Sequence, residues 1–474
     1  MGALPLPSPD IWSPDFMRRW RLVAAAALTV AAATAVTITA LPASAETAAF
    51  TVVSSWSNGY QGEVAVRNNT ASTINTWRVE LTLPAGTTIA NSWNATSSAS
   101  GSTYTFTPAG HNGTIAAGAS TTFGFVANGT GRPTACTING ASCGGTTTPP
   151  SSQPPSSTPP SSGTPVGING QLRVCGVNLC NQYGKAIQLR GMSTHGLQWF
   201  AKCYNSASLD ALAGDWQADL LRIAMYVQES GYETNPSGFT SQVNNLVDQA
   251  EARGLYAVID FHTLTPGDPT YNLDRAKTFF QSVSARNAAK KNVIYEIANE
   301  PNGVSWATIK NYAEQVIPVI RANDPDAVII VGTRGWSSLG VSDGSSSAEI
   351  IANPVRAQNI MYAFHFYAAS HKDNYRAEVQ KAAASLPLFV SEFGTVSATG
   401  GGAVDLSSST AWIDLLDQLK ISYANWTYSD AGEGSAAFRS GTCNGSTYAG
   451  TGVLSESGAF VRSRIRTADN FPTS

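Results

Sequence analysis

The stretch Val293-Ile294-Tyr295-Glu296-Ile297-Ala298-Asn299-Glu300-Pro301-Asn302-Gly303 decides how this chain is read. Its first half is a short apolar run with β-branched and aromatic residues, the composition of a buried strand. Its second half, Asn-Glu-Pro-Asn-Gly, is turn chemistry. A carboxylate, Glu300, therefore stands where a buried strand spills into a loop. In a parallel α/β barrel, that end of the strand is the active-site face. Glu300, flanked by an amide and a rigid proline, is a candidate general acid. Glu296 lies inside the strand, off the loop position, and reads as a decoy.

Working outward, the same alternation recurs. Strand-like runs cover 187–190, 220–225, 256–261, 293–297, 328–331, 360–364, 388–390 and 422–426. Helical stretches lie between them, among them 242–253, 273–286, 306–322, 374–384 and 409–420. Eight βα units in roughly 300 residues is the arithmetic of a (β/α)8 barrel. A doubly wound open sheet is the alternative. No G-x-G-x-x-G follows the first strand, which disfavours a dinucleotide fold.

Each strand ends in a polar or aromatic group. His195 and Trp199 follow the first, Arg222 and Tyr226 belong to the second, and His262 ends the third. Asn299 and Glu300 follow the fourth, and the fifth leads to Trp336. His365 and Tyr367 follow the sixth, Glu392 the seventh, and Trp426 ends the eighth. A lone buried histidine is more often a satisfied core residue than a ligand. Such groups at all eight ends fit the rim where barrel chemistry sits. Two glutamates stand out there. Paired carboxylates across a cleft are the machinery of glycoside hydrolysis: one donates a proton, the other stays ionised. Arg222 is placed to hold one of them ionised. Other chemistries fare poorly. There is no H-E-x-x-H, and the cysteine spacings give no metal motif. Gly140-Ala141-Ser142-Cys143-Gly144 matches G-x-S-x-G by letters, but not on a strand–turn–helix.

The rest of the 474-residue chain divides cleanly. Residues 1–45 read as an export signal. Arg18, Arg19 and Arg21 form the positive region, an Ala/Val/Thr/Leu run follows, and Ala43-Ser44-Ala45 is the cleavage pattern. The run is long enough for a membrane anchor but only weakly hydrophobic, so cleavage is the reading taken. Met17 is the more natural start. Residues 46–143 carry short alternating runs separated by Gly, Asn, Ser and Thr, the pattern of a β-sandwich. Residues 144–165 are a Pro/Ser/Thr linker that tethers this unit to residues 166–474. A formal net charge of −3 without a basic patch argues against nucleic acid. Six cysteines in an exported chain fit three disulfides.

At this point the motifs converge. Residues 190–200 (Arg190-Gly191-Met192-Ser193-Thr194-His195-Gly196-Leu197-Gln198-Trp199-Phe200), Leu221-Arg222-Ile223-Ala224-Met225-Tyr226, Ile259-Asp260-Phe261-His262, Tyr295 to Pro301, Ala363-Phe364-His365-Phe366-Tyr367, Ser391-Glu392-Phe393-Gly394 and Asn425-Trp426 together resemble bacterial endoglucanases of glycoside hydrolase family 5. The resemblance covers residues 167–467. It implies Glu300 as acid/base and Glu392 as nucleophile of a retaining mechanism, without metal or organic cofactor. Arg222 and Asn299 would support the nucleophile and the sugar's 2-hydroxyl. His262, His365 and Tyr367 would shape the catalytic subsite, over a stacking floor of Trp426. His195, Trp199 and Tyr226 would line neighbouring subsites. Phe261 stands where many relatives carry Trp, and a packing change alone is expected.

Residues 48–143 resemble a family 2 carbohydrate-binding module, through Trp56-Ser57-Asn58-Gly59-Tyr60, Ile74-Asn75-Thr76-Trp77, Asn91-Ser92-Trp93-Asn94-Ala95, Asn112-Gly113-Thr114-Ile115, Phe123-Gly124-Phe125 and Ile138-Asn139-Gly140. The resemblance implies Trp56 and Trp93 as cellulose-stacking residues and Trp77 as a core residue. His111 occupies the third platform position, which should weaken binding to flat cellulose. The family's N-terminal cysteine is missing near Thr47, so a local Cys136–Cys143 bridge is expected. Cys175–Cys180 would close a tight loop, and Cys203–Cys443 would join the regions after the first and eighth strands. The expected protein is a secreted, monomeric endo-β-1,4-glucanase acting on cellulose and other β-glucans. A mannanase or xyloglucanase on the same barrel, and a non-catalytic polysaccharide-binding protein, are the alternatives.

Overall fold

The computed structural model describes residues 46–56, 59–70, 72–110, 112–143, 163–469 and 471–473. Residues 1–45, expected to be an export signal, and nearly all of the expected linker lie outside these residues. The expected linker end is shifted. Thr164 already caps a short helix, Pro165–Asn169, by accepting from the Gly167 amide, so Thr164 and Pro165 belong to the second unit.

Eight parallel strands close into a barrel. They are β1 (Arg190–Ser193), β2 (Leu220–Tyr226), β3 (Tyr256–His262), β4 (Val293–Glu296), β5 (Val328–Val331), β6 (Ile360–Tyr367), β7 (Leu388–Gly394) and β8 (Tyr423–Trp426). β8 pairs with β1 to close the ring. The first strand expected at 187–190 is displaced. Ile187 and Leu189 are buried with Val166, Leu172 and Leu179, beneath the inward-facing Leu220, Val258, Ile294, Ile330 and Met361. They help plug the barrel's lower end, and the ladder begins only at Arg190. Hydrophobicity alone does not separate a plug from a strand.

Strand alternation sorts the remainder. Leu221, Ile223, Met225, Ala257 and Ile259 face the helices, in one core with Val243, Phe280 and Ile320. The opposite parity faces the barrel axis. Helices Pro236–Ala252, Leu273–Asn287, Trp306–Arg321, Asp373–Ala382 and Leu406–Leu419 form part of the outer ring. The helix at Trp306 starts where the Ser305 hydroxyl accepts from the Thr308 amide.

Residues 46–143 fold into two antiparallel sheets. One has the order Thr47–Trp56, Gly59–Arg67, Ser120–Asn128 and Thr88–Trp93. The other runs Ala95–Ser100, Thr103–Pro108, Val79–Thr82, Ala135–Ile138 and Ala141–Ser142. Between them lie Trp77, Phe106, Phe123 and Phe125. Trp77, two residues before the strand Val79–Thr82, is fully buried, its indole N–H donating to the Asn112 carbonyl at 3.0 Å. Trp93 is half-buried on the outer face of its sheet. Its ring covers Gly124, where a Cβ would lie 2.2 Å from the indole, so only glycine admits it. The Trp56 side chain and His111 lie outside the described residues. The sulfurs of Cys136 and Cys143, Cys175 and Cys180, and Cys203 and Cys443 are bonded, with Cα separations of 5.4, 6.0 and 4.8 Å.

Candidate active site

The inward parity that is apolar at the base becomes ionisable toward the strands' C-terminal ends. On β2, Leu220 gives way to Arg222 and Tyr226, and on β3, Val258 gives way to Asp260 and His262. Glu296 follows Ile294 on β4, and His365 and Tyr367 follow Met361 and Ala363 on β6. β7 breaks the rule. Between the pairs Ala363–Phe389 and His365–Glu392 it carries an extra residue, a β-bulge. The bulge lets the adjacent Ser391 and Glu392 both face inward, Ser391 toward Glu296 and Glu392 toward Arg222.

Arg222, fully buried, organises this layer. Its Nε donates to Glu296 at 2.7 Å, Nη1 to Glu392 at 3.0 Å and to the Ser193 hydroxyl, and Nη2 to the Asn299 amide oxygen at 2.6 Å. Glu392 also accepts the Tyr367 hydroxyl at 2.8 Å. Gly394 makes this possible, because a side chain there would collide with the Tyr367 ring. On the other side, His365 Nδ1 lies 3.0 Å from Glu300 and its Nε2 lies 2.9 Å from the Ser391 hydroxyl. Ser391 in turn donates to Glu296 at 2.6 Å. The Glu300 turn is held by its amide on the Thr263 carbonyl, and by Asn302, whose side chain donates to Leu264 and Glu300 carbonyls.

One oxygen from each of Glu300 and Glu392 and one nitrogen of His365 lie within 4.8 Å of one another. The two carboxyls have opposite electrostatics. Burial pushes Glu300 above the usual carboxylate range, His365 pulls it back in part, and the nearby Glu392 charge raises it further. Burial acts on Glu392 too, but His365, Arg222, His262 and the Tyr367 hydroxyl outweigh it and hold its carboxyl below the usual range. Burial alone would depress His365, but its Glu296 and Glu300 partners raise it to about 9. Glu296 is driven the other way, to about 2, by Arg222 and His365 against its own burial.

These groups open into a cleft of about 510 Å³ lined by His195, Tyr226, His262, Asn299, Glu300, Trp336, His365, Tyr367, Glu392 and Trp426. Tyr226 stacks on His262 at 4.0 Å, and Trp426 lies 4.8 Å from His195 and 5.5 Å from His262. Trp199 stands on the rim, 44% exposed and edge-on to Tyr226 at 5.0 Å. Arg222 lies behind the wall.

Comparison with known proteins places both units in named families. Residues 180–432 match the family of cellulases, glycosyl hydrolase family 5, and residues 46–143 match the cellulose binding domain. Endoglucanase CelA of Streptomyces lividans is 66% identical over 91% of this chain and 95% of its own length. Endoglucanase E-5 of Thermobifida fusca is 55% identical over 89% of this chain and 91% of its own. This chain belongs to glycosyl hydrolase family 5. The crystal structure of the catalytic domain of Thermobifida fusca endoglucanase Cel5A is 59% identical, with a TM-score of 0.64, and covers 64% of this chain and 100% of that one. A second structure of that domain, a variant in complex with cellotetraose, matches to the same extent.

In this family 5 barrel, several groups at the site do not stand out in the sequence. Glu296, which reads there as a decoy, is the partner of Arg222 and Ser391. Inward parity, two residues past Ile294 on β4, is its one signal. Asp260 precedes His262 by two and shares its face, the same signal. Glu433 accepts the Trp426 indole N–H at 3.2 Å and lies 3.6 Å from His195 Nε2. Nothing in its irregular loop marks it.

Proposed function

We propose that this family 5 enzyme, an endo-β-1,4-glucanase of cellulose, works by double displacement with Glu392 as nucleophile and Glu300 as acid/base. The observation that carries the reading is the pair of carboxyls held within 4.8 Å and driven toward opposite protonation states. A retaining glycosidase needs its carboxyls about 5–5.5 Å apart, close enough for direct attack and too close for an intervening water.

Glu392, kept ionised by Arg222 and Tyr367, attacks the anomeric carbon. Glu300 gives its proton to the leaving glycosidic oxygen. The glucosyl group is then an ester on Glu392. Glu300, now a carboxylate, takes a proton from water, which attacks the same carbon and releases Glu392. His365, hydrogen-bonded to Glu300, supports both of its states. Asn299, its amide oxygen fixed by Arg222, presents its N–H₂ toward the sugar's 2-hydroxyl. His262, Tyr226 and Trp426 give the sugar ring a wall of stacked rings, and His195 and Trp199 extend that wall to neighbouring subsites. The protein is secreted as a monomer after cleavage of residues 1–45. The module holds it on cellulose through Trp56 and Trp93, the latter packed against Gly124.

Glu392→Ala tests the roles. Release of reducing sugar from carboxymethyl cellulose should fall by about 10⁴-fold or more. Azide should restore turnover by attacking in place of the missing carboxylate. Near-native turnover by the variant would end the assignment.

A further inference from the structure

Asp260 is the one carboxylate of the buried layer around Arg222 that neither the double displacement nor its supporting contacts use. It is fully buried on β3, two residues before His262 and on the same face. Its Oδ2 lies 2.6 Å from His262 Nδ1, and this is its hydrogen bond. Arg222 Nη2 lies 3.0 Å from the same oxygen, an ion-pair contact, while its own hydrogen bond goes to the Asn299 amide oxygen. Oδ1 is buried and has no hydrogen-bond partner among the described residues.

An ionised carboxylate in that position would be costly. Buried charge needs several hydrogen bonds, and an orphaned carboxylate oxygen loses its hydration without return. A neutral acid suffers far less, since its orphan is only a carbonyl oxygen. The charge count of the layer points the same way. Arg222 and a protonated His365 supply two positive charges. Glu296 and Glu392 supply two negative ones. With Glu300 as the acid, the layer is neutral only if Asp260 is uncharged too. Burial is the main force raising Asp260 well above the carboxylate range. Arg222 and His365 oppose it, and Glu296 and Glu392 add to it. His262 is pushed down to about 3, mainly by burial and by Arg222, and stays a neutral ring.

We propose that Asp260 is a positioning residue, held as a neutral carboxylic acid whose O–H donates to His262 Nδ1, so that His262 offers its Nε2–H to the cleft as a hydrogen-bond donor. A carboxylic acid kept neutral by its surroundings can act as a donor where a carboxylate cannot. A neutral imidazole accepts at one nitrogen and donates at the other, so the choice of proton at Asp260 sets the polarity of the ring edge facing substrate. His262 lines the cleft and stacks under Tyr226, so that edge is fixed in place as well as in polarity. The donor would fit a sugar hydroxyl or ring oxygen acting as acceptor. The proposal rests on the reading of this cleft as the catalytic subsite.

The test is nitrogen NMR of the full-length chain with ¹⁵N-labelled histidine, the His262 signals assigned by their loss in His262→Ala. The expected result is a neutral ring protonated at Nε2 throughout pH 5–8. A ring protonated at Nδ1, or a charged imidazolium, overturns the proposal. This readout does not depend on the roles of Glu300 and Glu392, so it fails separately from them. Kinetics add a second arm. Asp260→Ala should lower kcat/KM by about 10- to 100-fold. Asp260→Asn, whose amide N–H replaces the acid's O–H toward Nδ1, should recover at least tenfold of that loss and keep the Nε2–H tautomer. An Asn variant as poor as the Ala variant overturns it.

Discussion

At the base of the barrel, Leu220, Val258, Ile294 and Met361 point inward and are buried against the plug formed by Ile187 and Leu189. Two or four residues further along the same strands, Arg222, Asp260, Glu296 and His365 point inward instead. The backbone geometry is the same in both layers. The difference is what each layer must satisfy. The lower layer is dry and gains from area removed from water, about 1.5–3 kcal/mol for each fully buried large side chain. The upper layer gains nothing from burial. Its stability depends on every charge finding a partner, and its function depends on two carboxyls being treated unequally. Alternation chooses which residues face the axis, and height along the strand decides whether they hold the barrel or work in it.

Substitutions in the two layers should separate these roles. The largest effect is expected from Arg222→Met in the upper layer. It leaves Glu296 and Glu392 buried without their cation, which should cost about 3–5 kcal/mol of stability. Activity should collapse with it, measurable by denaturant unfolding beside carboxymethyl cellulose assays. Unchanged stability would mean that the layer is not a paired ionic unit. Ile330→Ala in the lower layer should cost about 2–5 kcal/mol, while kcat of the folded enzyme stays as it was. A large loss of kcat would blur the division between layers.

The smallest effect is expected from Tyr367→Phe. It removes a hydrogen bond to ionised Glu392, so the carboxyl pKa rises and the acid limb of the kcat/KM profile moves to higher pH. At low pH the loss should reach about tenfold, shrinking as pH rises. An acid limb that does not move would detach Tyr367 from the nucleophile. The layer also shapes stability against pH. Glu296, lowered from 4.5 to about 2, contributes stability that is present above 4.5 and lost as pH falls toward 2.

How much of this is legible from sequence depends on the physics of each element. The strand ends are readable because a buried apolar run that breaks into polar turn residues marks the place where a strand leaves the core. Glu300 stands out for that reason. β7 is not readable in the same way. Strict alternation allows Ser391 or Glu392 to face inward but not both, and a bulge leaves no sequence mark. The short run at 388–390 therefore under-reads a strand that continues to Gly394. β1 misleads in the opposite sense, since the plug residues Ile187 and Leu189 are as apolar as any strand. In the sandwich, Ala95–Ser100 is an edge strand of mostly exposed Ala, Ser and Thr, with no apolar alternation to betray it. Glu433 acts on His195, which only the fold brings beside it, so sequence spacing does not give it away.

The central claim is that Glu392 attacks the sugar directly. The measurement closest to it is proton NMR of the anomeric configuration of products released in the first minutes of cello-oligosaccharide hydrolysis, before mutarotation. Direct attack followed by water attack inverts the centre twice, so β-anomers should appear first and α-anomers only later. Initial α-anomers would mean a single displacement by water, and would contradict the account.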